Sequence, residues 1–524
     1  MVYTIPKIMT QQQESSSTVQ KIILTTLNAR YIHASMGLRY LYANMGHLQN
    51  RTELVEYNIN TRVMDIAESL LERNPQIIGL GVYIWNATQT LQLVKLLKTI
   101  SPDICIVLGG PEVSYEYEEQ ELVSWADYVI TGQADLAFKE LCDDLYKKIK
   151  PINKIIHPLP IELSEIQLPY EYYNDEDVAN RVIYVEASRG CPFKCEFCLS
   201  SLDKTVYPFD LDIFLAKMEK LYVRGVRHFK FVDRTFNLKA ATSIRIMEFF
   251  LDKMDSENTQ NLFLHFELIP DHLPSTLKTT ISRFPEGSLQ FEIGIQSLNP
   301  EIQSIISRKQ NTQKVTENLN WIRNHSNAHI HADLIIGLPG ESIESFAEGL
   351  NLLHAMNPHE IQVGILKRLK GTPIIRHTEK YDMRYNPMPP FNILSNNLIN
   401  FENMQRLNRF ARYWDLIINS GRFNNTKRTL LATNAFYNFL TLSDWIFETS
   451  GQTHKISLER LYSLLYTGMI KALNFNKQQV SEALLSDYEV SGIKGQPKFL
   501  NRSTETTDSK KIKSSQRQIR HSGL

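Results

Sequence analysis

The stretch from Gly190 to Cys198, Gly-Cys-Pro-Phe-Lys-Cys-Glu-Phe-Cys, constrains this chain more than any other. It sets three thiols, Cys191, Cys195 and Cys198, at C-x3-C-x2-C spacing. Just before it runs Val182-Ile183-Tyr184-Val185-Glu186-Ala187, an apolar, β-branched run that predicts a buried strand. A strand therefore delivers a short loop carrying three cysteines. Thiolates at such spacings hold iron–sulfur clusters, and a four-iron cluster ordinarily takes four of them. Three would leave one iron open to another ligand. A closed zinc site would need a fourth protein ligand, from Glu196 or a downstream histidine.

Composition narrows the setting. With 524 residues, 43% hydrophobic and 22% charged, the chain is long enough for several cores and reads as a globular protein. Lys+Arg and Asp+Glu balance at 57 each, so no global field favours nucleic acid or an anionic membrane. No apolar run is long enough to span a bilayer. Residues 1–20 are polar, lack a signal peptide's apolar core and are expected as a disordered lead-in, which points to the cytoplasm. Cys105 sits in an apolar run and Cys142 in a helical pattern, so both read as packed thiols. That argues against a disulfide framework and leaves too few cysteines for a second all-cysteine cluster.

From residue 21 to 150, short apolar runs (22–27, 54–59, 77–84, 104–108, 128–130) alternate with amphipathic helical patterns. This predicts an α/β domain, a doubly wound parallel sheet that binds ligands beyond the carboxyl ends of its strands. The loops there are 28–35, 83–88, 109–112 and 132–135. Pro158, Pro160 and Pro169 make 151–180 an expected extended linker. Strand–helix alternation resumes over 181–380, with candidate strands at 182–187, 228–233, 262–268, 289–296, 329–337 and 360–367. Six β/α units predict an open, partial barrel whose chemistry sits at the carboxyl ends of the strands. Residues 381–494 lose the strand pattern and predict helices with Tyr413, Trp414, Trp445 and Tyr462 on apolar stripes. Such a region would cap the barrel mouth. Residues 495–524 read as a disordered basic tail; no aromatic residue accompanies the charge over 510–520, so nothing favours a nucleic-acid contact.

The cysteine spacing, with Phe197 just before the last thiol, resembles the signature of the radical S-adenosylmethionine (SAM) enzymes. The resemblance implies a 4Fe-4S cluster on Cys191, Cys195 and Cys198, with SAM on the open iron and cleavage to a 5′-deoxyadenosyl radical. It adds SAM contacts from Phe197 and from the strand ends. Glu267, Gln296, Arg308 and Asp333 match SAM-contacting positions of the coproporphyrinogen-oxidising relatives, with Asp333 as ribose partner and Arg308 as carboxylate partner. Many relatives place Gly-Gly-Glu after the second strand; here Phe231-Val232-Asp233-Arg234 stands there, so Asp233 is expected to substitute, and Arg234 occupies the place of a second acid.

The five-unit domain ahead of this motif resembles the cobalamin-binding domain of one large radical SAM subfamily, a branch of which has a helical C-terminal region and mostly unassigned substrates. The likeness covers roughly residues 20–150. It implies cobalamin contacts from Asn28, His33, Tyr83, Trp85, Asn86, the turn Gly109-Gly110-Pro111-Glu112, and Gly132. No Asp-x-His-x-x-Gly motif occurs, so no histidine of that kind reaches cobalt from below. The family implies methyl transfer to an unactivated carbon of a small-molecule or peptide substrate, with a flavodoxin- or ferredoxin-like electron donor. The alternatives are a cobalamin-dependent, non-methylating cyclisation or rearrangement, and a non-catalytic iron–sulfur or zinc protein with an interaction module.

Overall fold

Alternation of apolar strands with amphipathic helices builds two separate parallel sheets in the computed structural model, which describes residues 21–257, 261–493 and 497. The expected lead-in and nearly all of the expected tail lie outside the described residues. The chain divides into two units. The first takes the described residues up to Arg30 together with Gly37–Pro160; the second takes Tyr31–Met36 and the described residues from Ile161 on.

The first unit holds β1 (Lys21–Asn28), β2 (Thr52–Asn58), β3 (Pro75–Gly81), β4 (Cys105–Gly109), β5 (Tyr128–Ile130) and β6 (Ile155–Ile156) in the order β2-β1-β3-β4-β5-β6, all parallel. Both faces are covered, so the strands are apolar without alternation. Ile23, Leu27, Ile78 and Leu80 pack into one layer with Leu93, Val94 and Leu97. Ile22, Leu24 and Ile77 pack into the other with Leu38, Phe138 and Leu141. The two connections leaving the β1 neighbourhood run to opposite sides, so the crevice for a ligand opens between β1 and β3. Residues 151–180, expected as an extended linker, contribute β6 to this sheet. They also contribute a helix, Asp175–Asn180, started by a capping box between Asn174 and Asp177.

The second unit begins its sheet with β7 (Ile183–Val185). A hairpin of β8 (Ser188–Gly190) and β9 (Val206–Pro208) encloses the cysteine loop. Then come β10 (His228–Phe231), β11 (Phe263–Leu268), β12 (Leu289–Gln296), β13 (His329–Ile336) and β14 (Glu360–Ile365), in the order β14-β13-β12-β11-β10-β7. The order is sequential and parallel, and β7 and β14 do not pair: an open arc of six β/α units. Phe229, Phe231, Phe266 and Phe291 form an aromatic layer against Phe214 and Phe250 of the helices. Alternate residues therefore face inward, and they are polar: Lys230 and His265 both bond Glu292, and His331 meets Gln362.

Beyond the arc lie helices at Phe401–Ile417, Asn424–Leu430, Ala435–Ser450, Leu458–Lys471 and Lys477–Val490, the first and third packed on each other through Phe410, Trp414, Phe436 and Phe439. Two short strands, Arg384–Tyr385 and Ile393–Ser395, precede them; at two and three residues they carry too little pattern to be read from sequence. Among the described residues no helix is long and apolar enough to cross a membrane.

One buried acid in this unit gives a pH prediction. Glu341, in the turn after β13, accepts from Ser297 Oγ at 2.6 Å, while its other oxygen has no hydrogen-bond partner. Burial, opposed by the Ser297 bond, pushes its carboxyl up to about 8 from an ordinary 4.5. The folded pKa lies above the unfolded one, so this group's stabilisation is complete below about pH 4.5 and is lost as pH rises through about 8. Glu341→Gln is expected to flatten the decline in urea midpoint between pH 5 and pH 9, recovering roughly one to two kcal/mol of stability at the alkaline end.

Candidate active site

The cysteine loop leaves the arc at the carboxyl end of β7. Gly190, at φ +90°, closes the β8–β9 hairpin against Thr205, and Cys191 follows it directly. Cys191, Cys195 and Cys198 all line a cavity of about 210 Å³ with Phe193, Phe197, Arg234, Glu267, Glu292, Gly294, Gln296, Arg308, Gln310 and Asp333. Six strands and loops thus converge on one pocket, at the end of the arc where barrel logic places chemistry.

The electrostatics of that pocket are unusual. Burial pushes the Cys191 thiol up, and the charges of Cys198 and Cys195 add to it while Arg234 opposes. The thiols are close enough to repel when ionised, a repulsion that bound iron would relieve. Arg308 Nη1 lies 3.5 Å from Cys195 Sγ, its Nε donates to Gln310 Oε1 at 3.2 Å, and Nη2 donates to the Gly294 carbonyl. Burial, with the charges of Glu292 and Glu267, raises Asp333 well above the ordinary carboxylate range. Burial also raises Glu267, against the pull of Arg234, which donates to its two oxygens at 2.9 and 3.2 Å. Burial acts the same way on Glu292, but the His265 hydrogen bond and the charges of Lys230, His265 and His331 outweigh it and hold that acid low.

These residues fit SAM. The ligand brings a carboxylate, an ammonium, a sulfonium and a ribose diol, and the pocket offers guanidiniums and carboxylates side by side. Asp333 Oδ1 and Gln310 Nε2 are buried in its wall with no hydrogen-bond partner. Gln296 reaches in from a left-handed residue, φ +72°, at a bulge that ends β12. A Cβ at position 294 would lie 2.5 Å from Gln296 Nε2, so Gly294 makes room for that amide.

Of the residues expected around SAM, the structure brings Phe197, Glu267, Gln296, Arg308 and Asp333 together with the three cysteines. Asp233, also expected there, is 3% exposed and is not among the residues that line the pocket. Its carboxylate accepts from Ala187 N at 3.0 Å and Ser188 Oγ at 2.6 Å, fixing the chain between β7 and β8. The next residue, Arg234, is the one that faces the cavity.

Sequence reading also missed what Glu196 does. It is 1% exposed, and its carboxylate accepts from Ser307 Oγ at 2.5 Å, meets His377 Nε2 at 2.7 Å, and pairs with Arg376. Its backbone bonds Ile306 and Ile374 as well. The cysteine loop is thereby tied to residues 306–308 and 374–377. A carboxylate so engaged is not a spare zinc ligand. Among the described residues no group of three or more His, Cys, Asp or Glu side chains is placed to hold a single metal ion. Glu196→Gln keeps the shape but removes the charge from three partners. It is expected to cost about 2 kcal/mol in denaturant unfolding and to lower iron retention on desalting.

In the first unit, the carboxyl ends of β1, β3, β4 and β5 carry the expected cobalamin residues. Asn86 is fully buried; its amide donates to Thr26 Oγ1, Leu27 O and Gly81 O, each at 3.1 Å, and accepts from Tyr83 N at 2.8 Å. It shapes the loop rather than facing outward. Tyr83 and Trp85 stack at 4.4 Å, and Trp85 Nε1 donates to Leu27 O, leaving a 45% exposed flat ring at the crevice. Gly110 has φ +105°, and a Cβ there would come within 2.5 Å of Val82 O. Gly109, Pro111 and the buried Glu112 complete that turn. Gly132, φ +64°, faces open space and lines a cavity of about 370 Å³ with Ser114, Thr131 and His157. Glycine turns, an exposed flat aromatic and a cavity at the strand ends fit a large planar cofactor. Two expected contacts are spent elsewhere. Asn28 donates to Glu56 Oε1 at 2.9 Å, beside the buried Arg39–Glu56 ion pair. His33 belongs to the second unit, where it bridges to Val182 next to β7 and its Nδ1 lies 2.6 Å from the Tyr184 hydroxyl.

Comparison with known proteins gives three family matches along the chain. Residues 22–142 match the B12 binding domain, residues 185–353 the radical SAM superfamily, and residues 379–522 a family described as a protein of unknown function, DUF4080. An uncharacterized methyltransferase of Pyrococcus horikoshii is 24% identical over 337 residues, 59% of this chain and 70% of the relative. The cobalamin-dependent radical SAM methyltransferase TokK of Streptomyces tokunonensis is 22% identical over 62% of this chain, which spans about half (52%) of TokK. The structure of TsrM from Kitasatospora setae, a radical SAM methyltransferase with cobalamin and a [4Fe-4S] cluster bound, superposes with a TM-score of 0.58 at 13% identity. That likeness covers 90% of this chain and 100% of TsrM, and is one of fold.

Proposed function

We propose that this chain, a radical SAM protein with a B12 binding domain, is a cobalamin-dependent radical SAM enzyme that transfers a methyl group to an unactivated carbon. The observation that carries the reading is the single pocket in which Cys191, Cys195 and Cys198 meet Gln296, Arg308 and Asp333. When bound, the cluster supplies the electron for reductive cleavage of SAM and the corrinoid supplies a methyl-carrying metal centre. The chain's own residues bind and orient. Cys191, Cys195 and Cys198 hold the cluster. Arg308 offers a guanidinium to the SAM carboxylate, and Asp333 and Gln296 offer polar atoms to its ribose and amino group. Phe193 and Phe197 exclude water from the wall beside the thiols. Tyr83, Trp85 and the turn at Gly109 and Gly110 are the groups offered to cobalamin in the first unit.

Electrons would come from a flavodoxin- or ferredoxin-class donor in the cytoplasm. The test is anaerobic reconstitution with iron, sulfide and hydroxocobalamin, followed by SAM and a chemical reductant. Methyl transfer predicts both 5′-deoxyadenosine and S-adenosylhomocysteine. 5′-Deoxyadenosine alone would move the reading to a non-methylating radical reaction, and neither product would overturn it.

A further inference from the structure

We infer that Arg234, oriented by Glu267, sets the reduction potential of the cluster held by Cys191, Cys195 and Cys198. The inference rests on the radical SAM reading and assigns a positioning role to a residue that reading does not use.

Two guanidiniums line the pocket, and they are held differently. All three nitrogens of Arg308 are engaged, with Gln310, Gly294 and Cys195. Arg234 has one hydrogen-bonding partner among the described residues, Glu267, which takes Nη1 alone. The rest of the guanidinium lies half-exposed at the cavity wall, 53% against 19% for Glu267. With its arginine half-exposed, the pair adds little to folding stability.

The pair shares its cavity with the thiols: Arg234, Glu267, Cys191, Cys195 and Cys198 all line it. Reduction adds one electron, and no atom, to a cluster at those thiols. A fixed positive charge beside a partly desolvated site favours the reduced form, and net charge and surroundings are among the terms that set such potentials. Glu267 weakens that effect by partial neutralisation and fixes its geometry.

The experiment is an anaerobic redox titration of the reconstituted full chain without SAM, followed by electron paramagnetic resonance. Arg234→Gln is expected to lower the reduced-to-oxidised ratio at a fixed potential about tenfold, which is about 59 mV for a one-electron couple. Arg234→Lys is expected to stay within about threefold of the parent, because the charge is kept. Glu267→Gln is expected to move the other way, raising the ratio, because the cation is no longer offset. Opposite directions from the two partners are what a merely structural pair would not produce. Shifts in the same direction, or none, in variants with parental iron content overturn the inference. If Arg234→Gln loses iron, Arg234→Lys against Glu267→Gln decides on the same terms: a lysine variant displaced downward as far as the glutamine variant rises overturns it. A parent chain with no reducible cluster removes the functional reading itself, which is a different result from unmoved potentials.

Discussion

Cys198→Ser is expected to abolish the reducible cluster and to lower SAM cleavage by at least about a thousandfold, the loss of the chemistry rather than a weakening of it. The thiolate is the ligand, and serine at an ordinary pKa offers none. Cys191→Ser and Cys195→Ser should behave alike, since all three thiols line one cavity. The contrast lies in the other two cysteines. Burial pushes the Cys105 thiol up to about 12 and the Cys142 thiol further up. Both are protonated packing groups of the first unit, with Cys142 fully buried in the layer of Leu141 and Phe138. Cys105→Ser and Cys142→Ala should therefore leave iron per chain unchanged; each costs only packing, on the order of 1 kcal/mol. Iron and sulfide assays with an anaerobic absorbance spectrum check the whole series. Full iron and SAM cleavage in Cys198→Ser would contradict the site.

Much of this architecture was readable because two physical regularities dominate it. Strands covered on both faces must be continuously apolar, so 22–27 and 128–130 stand out against the helices between them, while 289–296 alternates because one of its faces is polar. Ligand loops must follow strands, so the cysteine loop and Gln296 fall at the carboxyl ends of β7 and β12, whereas Asp333 lies within β13 and stands out only through the resemblance to known SAM-contacting positions. Chemistry carried by spacing along the chain is legible in the same way.

What stayed hidden depends on distance in sequence or on direction in space. Glu196 reads as a free acid in a cysteine loop until Arg376 and His377, 180 and 181 residues later, close on it. Asp233 and Arg234 are neighbours, and sequence favours the acid; but the short turn after β10 sends Asp233 back to Ala187 and Ser188 and leaves Arg234 facing the cavity. A one-residue change in direction at a strand end decides which side chain meets a ligand, and composition does not encode it. His33 is similar. It lies in a loop expected to serve the first domain, yet its backbone pairs beside β7 and its ring bonds Tyr184. The β8–β9 hairpin was missed because three residues per strand hold less than two periods of alternation.

That hairpin carries the second large effect. Gly190 pairs with Val206 across it and holds φ +90°, and a Cβ at this position would lie 1.9 Å from the Thr205 carbonyl oxygen. The obstacle is backbone, not the far end of a flexible side chain, so relief requires the two strands to part. Left-handed strain alone costs an L-residue about 1–2 kcal/mol, and the overlap adds to it. The cost falls on the residue that launches Cys191, whose own N–H reaches Asp203 O at 3.4 Å across the same hairpin. Gly190→Ala is therefore expected to displace one of the three iron ligands, lowering iron per chain at least about threefold and the unfolding free energy by about 3 kcal/mol or more. Gly451→Ala separates strain from clash. It has φ +62° at the end of the helix Ala435–Ser450, with nothing within 4 Å of where the Cβ would be. It should cost only about 1 kcal/mol and leave the iron untouched. Equal iron loss in the two variants would mean that the hairpin does not position Cys191, and parental iron in Gly190→Ala would mean that the loop reaches its cluster geometry by another path.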